Sequence, residues 1–301
     1  MIKQKTYAAI DIGSNAVRLL VSTITEKEGM ETNFRKTSLV RVPIRLGADV
    51  FLKQKVSEKN TIRMIDTMHA FKLLMKSHGV EKYKACATSA MREAQNGDEI
   101  TNIIKEKSGI DIEIIDGSHE AAIIAATDLH ALIQNDHNYL YVDVGGGSTE
   151  YTMYSNGKTV TSKSFKVGTV RMMEDLVEHK TWEEMQQWVK ETTKDFDDID
   201  LIGSGGNINN IFKTSGKKEG KPLSLKYLKD YDEKLNSYTY EERITDLDLK
   251  NDRADVIIPA SKIYVNSMKW ARANWIYVPK IGLADGIIKS LYKEAKPKKK
   301  V

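Results

Sequence analysis

The sequence predicts an α/β protein of two related halves with mixed sheets, on three observations. Strand-like and helix-like segments alternate along the chain. An apolar run closing in Asp-x-Gly is written twice, as Ala8-Ala9-Ile10-Asp11-Ile12-Gly13 and as Tyr141-Val142-Asp143-Val144-Gly145. A third run, Leu201-Ile202-Gly203-Ser204, enters the glycine turn at Gly205-Gly206. Laying Asp11 on Asp143 puts Gly13 on Gly145 and Ser14-Asn15 on Gly146-Gly147, with the apolar flanks in register. At 301 residues the chain can hold two domains, each with its own core. The expected division is 1–128 and 129–301, with the last helix able to pack back on the first domain.

In order along the chain, the first Asp-x-Gly run is a strand, and a further strand-like stretch spans Phe34 to Leu46. A long helix follows, with Ser57 as N-cap, Gly79 as its stop and an apolar stripe of Ile62, Ile65, Met68, Phe71 and Met75. Tyr83 to Ala87 is a strand that breaks into small residues and then a helix reaching about Gly109. Ile112 to Ile115 turns at Asp116-Gly117-Ser118 into an alanine-rich helix beginning near His119. Tyr139 to Val144 reads as a strand buried on both faces, followed by a strand-like Thr159 to Val167 and a helix over Thr181 to Lys194. Residues Thr214 to Lys234 carry many lysines with glycine and proline and are expected to form a surface excursion. A charged helical region leads to a helix over Pro259 to Ala273, a last strand at Trp275 to Val278, and a C-terminal helix after Gly282.

Composition narrows the partners. The formal charge is +4, but four lysines lie in the last seven residues, and the rest carries no net charge. That tail reads as solvated rather than as a nucleic-acid face. A single cysteine, Cys86, excludes an internal disulfide and reads as a buried structural thiol. The six histidines show no metal-ligand spacing. Met1 to Thr6 leads into the first strand without a cleavable apolar core, and no apolar run approaches a membrane span, so a cytoplasmic protein without membrane partners is expected. Pairing of two copies stays open.

Glycine at 145, 146 and 147 removes side chains where backbone N–H groups must approach an anion. A carboxylate beside bound phosphates repels them unless a hard divalent cation is shared, which makes Asp143 a candidate cation ligand. Gly13, Ser14 and Asn15 in the first copy, Ser148 in the second, and Gly205 in the third turn are candidate phosphate contacts. Arg92, at a helix start, suits a bidentate phosphate contact or a surface ion pair. Glu120 is a catalytic candidate or a first-turn acid favoured by the helix dipole. Glu150 either orients water and binds metal or is an exposed strand residue.

Several segments, in this order and spacing, resemble the exopolyphosphatase and guanosine pentaphosphate phosphatase (Ppx/GppA) family: Asp11-Ile12-Gly13-Ser14-Asn15 with Val17-Arg18, Ala87-Thr88-Ser89-Ala90-Met91-Arg92-Glu93-Ala94, Ile115-Asp116-Gly117-Ser118-His119-Glu120-Ala121, and Asp143-Val144-Gly145-Gly146-Gly147-Ser148-Thr149-Glu150. Gly203-Ser204-Gly205-Gly206 and Gly282-Leu283-Ala284-Asp285-Gly286 extend the likeness over essentially the whole chain. The length is similar to that of the short, two-domain type. The resemblance implies two ribonuclease-H-like domains of the actin, chaperone and sugar-kinase (ASKHA) superfamily, with the active site in the cleft between them. It implies Glu120 as the general base on the attacking water, and phosphates held by the two glycine loops with Arg92. Asp143 and Glu150 match acidic positions associated with Mg²⁺ and the water. The family usually carries two or three consecutive acids where this chain has Ser118-His119-Glu120. Only Glu120 keeps the offset to the following alanine, and His119 is expected to shift the pH optimum if it shares a proton with Glu120. The expected activity is Mg²⁺-dependent release of orthophosphate from the end of inorganic polyphosphate. Alternatives are guanosine pentaphosphate hydrolysis, an ATP-dependent sugar-kinase-like activity, and non-catalytic polyphosphate or alarmone binding.

Overall fold

Two mixed sheets, of five and six strands, organise the described residues 2–125, 127 and 137–295 of this computed structural model. Each sheet belongs to its own unit: residues 1–127 with 282–301 form one, residues 128–281 the other. The expected boundary at 128/129 and the lysine tail fall outside the described residues.

The first unit runs β1 (Ile2–Ile12), β2 (Val17–Lys27), β3 (Asn33–Val42), α1 (Leu46–Lys53), α2 (Glu58–Ser77), β4 (Lys82–Ala87), α3 (Ser89–Glu93), α4 (Gly97–Ser108), β5 (Ile112–Ile114) and α5 (Gly117–Ala125). Its sheet order is β3-β2-β1-β4-β5. β1, β2 and β3 form an antiparallel meander, while β4 pairs parallel to β1 and to β5. Central β1 is buried continuously from Tyr7 to Ile12, whereas the edge strand β3 is mostly solvated.

The second unit contains β6 (Asn138–Val144), β7 (Thr149–Ser155), β8 (Lys158–Phe165), α6 (Thr169–Met173), α7 (His179–Thr193), β9 (Ile199–Ser204), α8 (Gly206–Thr214), β10 (Leu223–Ser224), α9 (Leu225–Ser237), α10 (Tyr240–Thr245), α11 (Asn251–Ala254), α12 (Ile257–Trp270) and β11 (Trp275–Tyr277). The order β8-β7-β6-β9-β11 repeats that of the first sheet, with β10 added at the edge. This shared order is the ribonuclease-H-like arrangement. The last helix, α13 (Leu283–Ala295), packs in the first unit, where Gly286 sits so close to the Ile123 carbonyl that an added Cβ would lie 2.2 Å from its oxygen.

Five expected elements are corrected. The strand after each Asp-x-Gly turn is β2 or β7, so the stretches at Phe34 and Thr159 are third strands, and Leu46 already begins α1. In α2 the Ser57 cap holds, its hydroxyl accepting from Asn60 N, and Gly79 lies at φ +63 just past the end. The buried stripe, however, is Met64, Met68, Phe71 and Met75, while Ile62 is 53% exposed. Steps of 100° put Ile62 about 200° from Met64. The helix expected from the small-residue turn to Gly109 breaks into α3 and α4. Asn96 anchors the break by a paired bond with the Val56 backbone, at 2.9 and 3.0 Å, and a Cβ at Gly97 would meet the Met91 carbonyl oxygen at 2.4 Å. Finally, only residues 215–222 form the expected excursion. Thr214 closes α8, Leu223–Ser224 form β10, and the rest is helix α9, capped by Ser224 and burying Leu228, Tyr231 and Leu235 with lysines and acids on the outer face.

Candidate active site

β-Sheet register carries one row of side chains across four strands of the second unit. Asp143 on β6 pairs with Ser204 on β9 and with Glu150 on β7, and Glu150 pairs with Ser164 on β8. Paired residues on neighbouring strands share a face, so two carboxylates stand side by side between two hydroxyls. Glu150 is 4% exposed, which removes its reading as an exposed strand residue. Its Oε1 accepts from Ser148 Oγ at 2.5 Å and Ser164 Oγ at 2.9 Å. Asp143 Oδ2 accepts from Ser204 Oγ at 3.2 Å and more weakly from Tyr141 OH at 3.4 Å. Burial pushes the phenols of Tyr141 and Tyr264 well above their ordinary range, so both remain donors.

The glycine loop after β6 is a tight turn closed by Gly145 N donating to Ser148 O at 2.9 Å. The segment after β8 lies against it. Thr169 N donates to Gly145 O, Val170 N to Gly146 O, and the buried Arg171 donates from Nε to Gly147 O at 2.7 Å. These bonds occupy the loop's carbonyls, which leaves its N–H side as the face suited to an anion. Gly168 is required there, because a Cβ would lie 2.4 Å from the Gly146 oxygen. Gly205, at φ +118, is required too: its Cβ would meet Val144 O at 3.0 Å and Asp143 Oδ1 at 3.4 Å.

The first unit repeats this frame. Gly13 N donates to Ala16 O at 3.1 Å, and Gly47 N to Ser14 O at 2.7 Å, matching the bonds at Gly145 and Val170. Asp11 pairs with Arg18 as Asp143 pairs with Glu150, so the alignment of the two copies holds residue by residue. Here the partner is cationic, and Arg18 Nη1 lies 2.8 Å from Asp11 Oδ2. Ser14 Oγ is 2.8 Å from Ser89 Oγ at the start of α3. Arg92, on α3, donates from Nη1 to Ile115 O at 2.6 Å rather than to an acid. Asp116 Oδ1 accepts from His119 N at 2.7 Å, which starts α5 at Gly117 and places Glu120 in its first turn, half-buried. His119 is exposed, its Nδ1 3.8 Å from Glu113 Oε1. Gly13, Ser14, Asn15, Arg92 and Glu120 therefore gather at the carboxyl ends of the parallel strands β1, β4 and β5, where α/β sheets bind ligands. Asp143, Gly145 to Ser148, Glu150 and Gly205 gather likewise at the ends of β6 and β9.

The donor chemistry fits Mg²⁺. Asp143 and Glu150 are hard oxygen donors on one face, and no cluster of three or more His, Cys, Asp or Glu side chains exists among the described residues. Two carboxylates leave several coordination positions for water and phosphate oxygens, as Mg²⁺ prefers. Cys86 is buried and its thiol is pushed up to about 12 by burial, in keeping with a structural role. Ser164, Gly168 and Arg171 escaped sequence reading. Ser164 comes opposite Glu150 only through a register shift between Met153 and Tyr154, which counting back from the β7–β8 turn misses; Gly168 and Arg171 act through backbone contacts that leave no pattern in the sequence.

Comparison with known proteins agrees with this frame. The chain resembles in fold an exopolyphosphatase from Cytophaga hutchinsonii (TM-score 0.83, 23% identity, 97% of this chain and 99% of that one). A Ppx/GppA family member from Aquifex aeolicus is similar too (TM-score 0.76, 24% identity, 98% and 100%). In sequence it is 28% identical over 297 residues to the bifunctional 3-dehydroquinate synthase/phosphatase of Fusobacterium nucleatum, covering 90% of this chain and 44% of that protein. It is 29% identical over 168 residues to the guanosine-5'-triphosphate,3'-diphosphate pyrophosphatase of Photobacterium profundum, covering 56% and 33%. The chain thus spans less than half the length of these curated relatives. The model of the Ppx/GppA phosphatase family matches residues 21–295, nearly the whole sequence, and the chain belongs to that family of hydrolases.

Proposed function

We propose that this protein is a divalent-cation-dependent phosphoanhydride hydrolase that releases orthophosphate from the end of inorganic polyphosphate. The observation that carries the reading is the Asp143–Glu150 pair beside the glycine loop, two carboxylates placed where phosphate binding by itself would call for none. Mg²⁺ held by these carboxylates would neutralise charge on the phosphate oxygens. The chain's own groups do the rest. Backbone donors at Gly145 to Ser148, at Gly13 to Asn15 and at Gly205 orient the phosphates, and Arg92 adds a cationic contact by exchanging its Ile115 carbonyl for a phosphate oxygen. Glu120 takes the proton of the attacking water, a contribution of roughly 10²–10⁴-fold for a general base.

A second reading is guanosine pentaphosphate hydrolysis, favoured by the likeness to the guanosine-5'-triphosphate,3'-diphosphate pyrophosphatase of Photobacterium profundum. It breaks the same type of bond. Phosphate release measured on short and long polyphosphate, guanosine pentaphosphate and ATP, with Mg²⁺, separates the two. Polyphosphate is expected to be the best substrate, and Glu120→Gln is expected to lower its turnover about 10²-fold or more. Full activity in that variant overturns the assignment of the base. Preference for guanosine pentaphosphate overturns the substrate, and ATP turnover that requires an acceptor overturns hydrolysis.

A further inference from the structure

At the other end of α8 from Gly205, the second unit carries an open groove lined by Lys217, Lys218, Lys221, Pro222 and Trp275. α8 has nine residues, about 13 Å at 1.5 Å per residue, so the groove is separate from the glycine loops. Trp275 opens β11, at the opposite end of the sheet from the carboxyl ends that hold Asp143 and Ser204. It is 45% exposed, while Trp270 is buried and Trp182 and Trp188 pack partly buried on the core.

The groove is ordered by its own hydrogen bonds. Lys221 N donates to Lys218 O at 3.1 Å, a turn that holds the two residues' Cα atoms within about 7 Å. Lys217 Nζ donates to Pro222 O at 2.6 Å and stands 5.8 Å from the centre of the Trp275 ring. The only acid in residues 213–222, Glu219, is engaged by Lys280 at 3.4 Å. Lys218 and Lys221 are both exposed and form no ion pair among the described residues. Like charges gathered on one turn repel, and an anion between them relieves that repulsion. The groove's exposed lining is apolar, from the indole, the proline and the lysine stems, and with the charges of Lys218 and Lys221 on the exposed turn beside it this matches a ligand with one flat apolar ring and a phosphate tail. A bare polyphosphate has no part that uses the indole, and a nucleic acid strand would need several stacking platforms.

We propose that this groove is a second ligand site that binds a purine nucleoside diphosphate, its base on Trp275 and Pro222 and its phosphates on Lys218 and Lys221. The site is independent of the hydrolytic reading. The full chain is titrated without divalent cation against ADP and against pyrophosphate, following tryptophan emission and heat of binding. ADP is expected to quench the emission. Trp275→Leu is expected to weaken ADP binding about five-fold or more, from the usual strength of base stacking, with pyrophosphate binding unchanged. Lys218→Ala with Lys221→Ala weakens both ligands, and Trp275→Phe, which keeps a stacking ring, restores ADP binding. Phosphate release from tripolyphosphate stays at the wild-type rate in all three variants. The proposal is overturned if Trp275→Leu or the double lysine variant leaves ADP affinity unchanged, or if pyrophosphate binds as tightly as ADP. Circular dichroism checks that each variant is folded.

Discussion

The corresponding rows of the two sheets differ in sign. In the first unit the row through the Asp-x-Gly strand reads Cys86, Asp11, Arg18, Arg41; in the second it reads Ser204, Asp143, Glu150, Ser164. Backbone, turn and register are the same, so the difference lies in side chains alone. Asp11 is closed off by Arg18, and its row carries excess positive charge. Asp143 faces a second carboxylate, which the hydroxyls of Ser164 in the row and Ser148 in the glycine loop hold in place. One duplicated frame thus carries a row of net positive charge in one unit and a pair of carboxylates in the other, and only the second has the oxygen donors that suit a hard cation.

The largest expected effect comes from erasing that difference. Glu150→Arg copies the first unit's pairing into the second and is expected to lower phosphate release by about 10²-fold or more, the scale of one preorganised electrostatic group. Steady-state rates across a Mg²⁺ titration check it, and near-wild-type activity would remove Glu150 from the site. Next is Gly168→Ala, which pushes a Cβ into the Gly146 carbonyl and should destabilise the fold by about 1–3 kcal/mol. Urea unfolding midpoints measure the loss. An unchanged midpoint would show that the loop is not held by the 165–171 segment.

pH sets the units apart in a smaller way. Burial pushes the Asp49 carboxyl up, but hydrogen bonds from the Ser57 hydroxyl and N–H and from the Asn60 amide outweigh it and hold the group below 3.8. Its stabilisation is present above the unfolded value and fades as the pH falls through the lower folded one. Asp49→Asn should therefore cost about 0.5–1 kcal/mol near neutrality, after solvent screening, and nothing in strong acid. Asp200, in the second unit, is pushed above 3.8 by burial despite the pull of His137. Its sign is opposite: the contribution is largest below 3.8 and is lost as pH rises through the folded value, so Asp200→Asn should not destabilise at neutral pH. Unfolding midpoints between pH 3 and 7 for the two variants test the crossing. The smallest expected effect is at Cys86, where a thiol pushed to about 12 by burial should react with thiol reagents only on unfolding, and treated enzyme should keep its rate.

Much of this molecule was legible in advance because its signals are local. The strands that end in Asp-x-Gly, their turns and the Ser57 cap depend on neighbours in sequence, and each appears where the residues place it, whereas β2 and β7 were not foreseen. α9 was hidden because its three buried residues, Leu228, Tyr231 and Leu235, are spaced among exposed lysines and acids and follow a lysine-rich stretch with glycine and proline. The break between α3 and α4 was hidden because it rests on Asn96 meeting Val56, forty positions away.

From the sequence alone followed the duplication, the mixed α/β architecture, and the alignment of Asp11 with Asp143, since a strand's pleat and a glycine's freedom belong to a few consecutive residues. Tertiary structure decided what each aspartate faces. Pairing across strands brings Arg18 to one and Glu150, with Ser164 and Ser204, to the other, and such partners are chosen by register between distant segments, which no local pattern encodes.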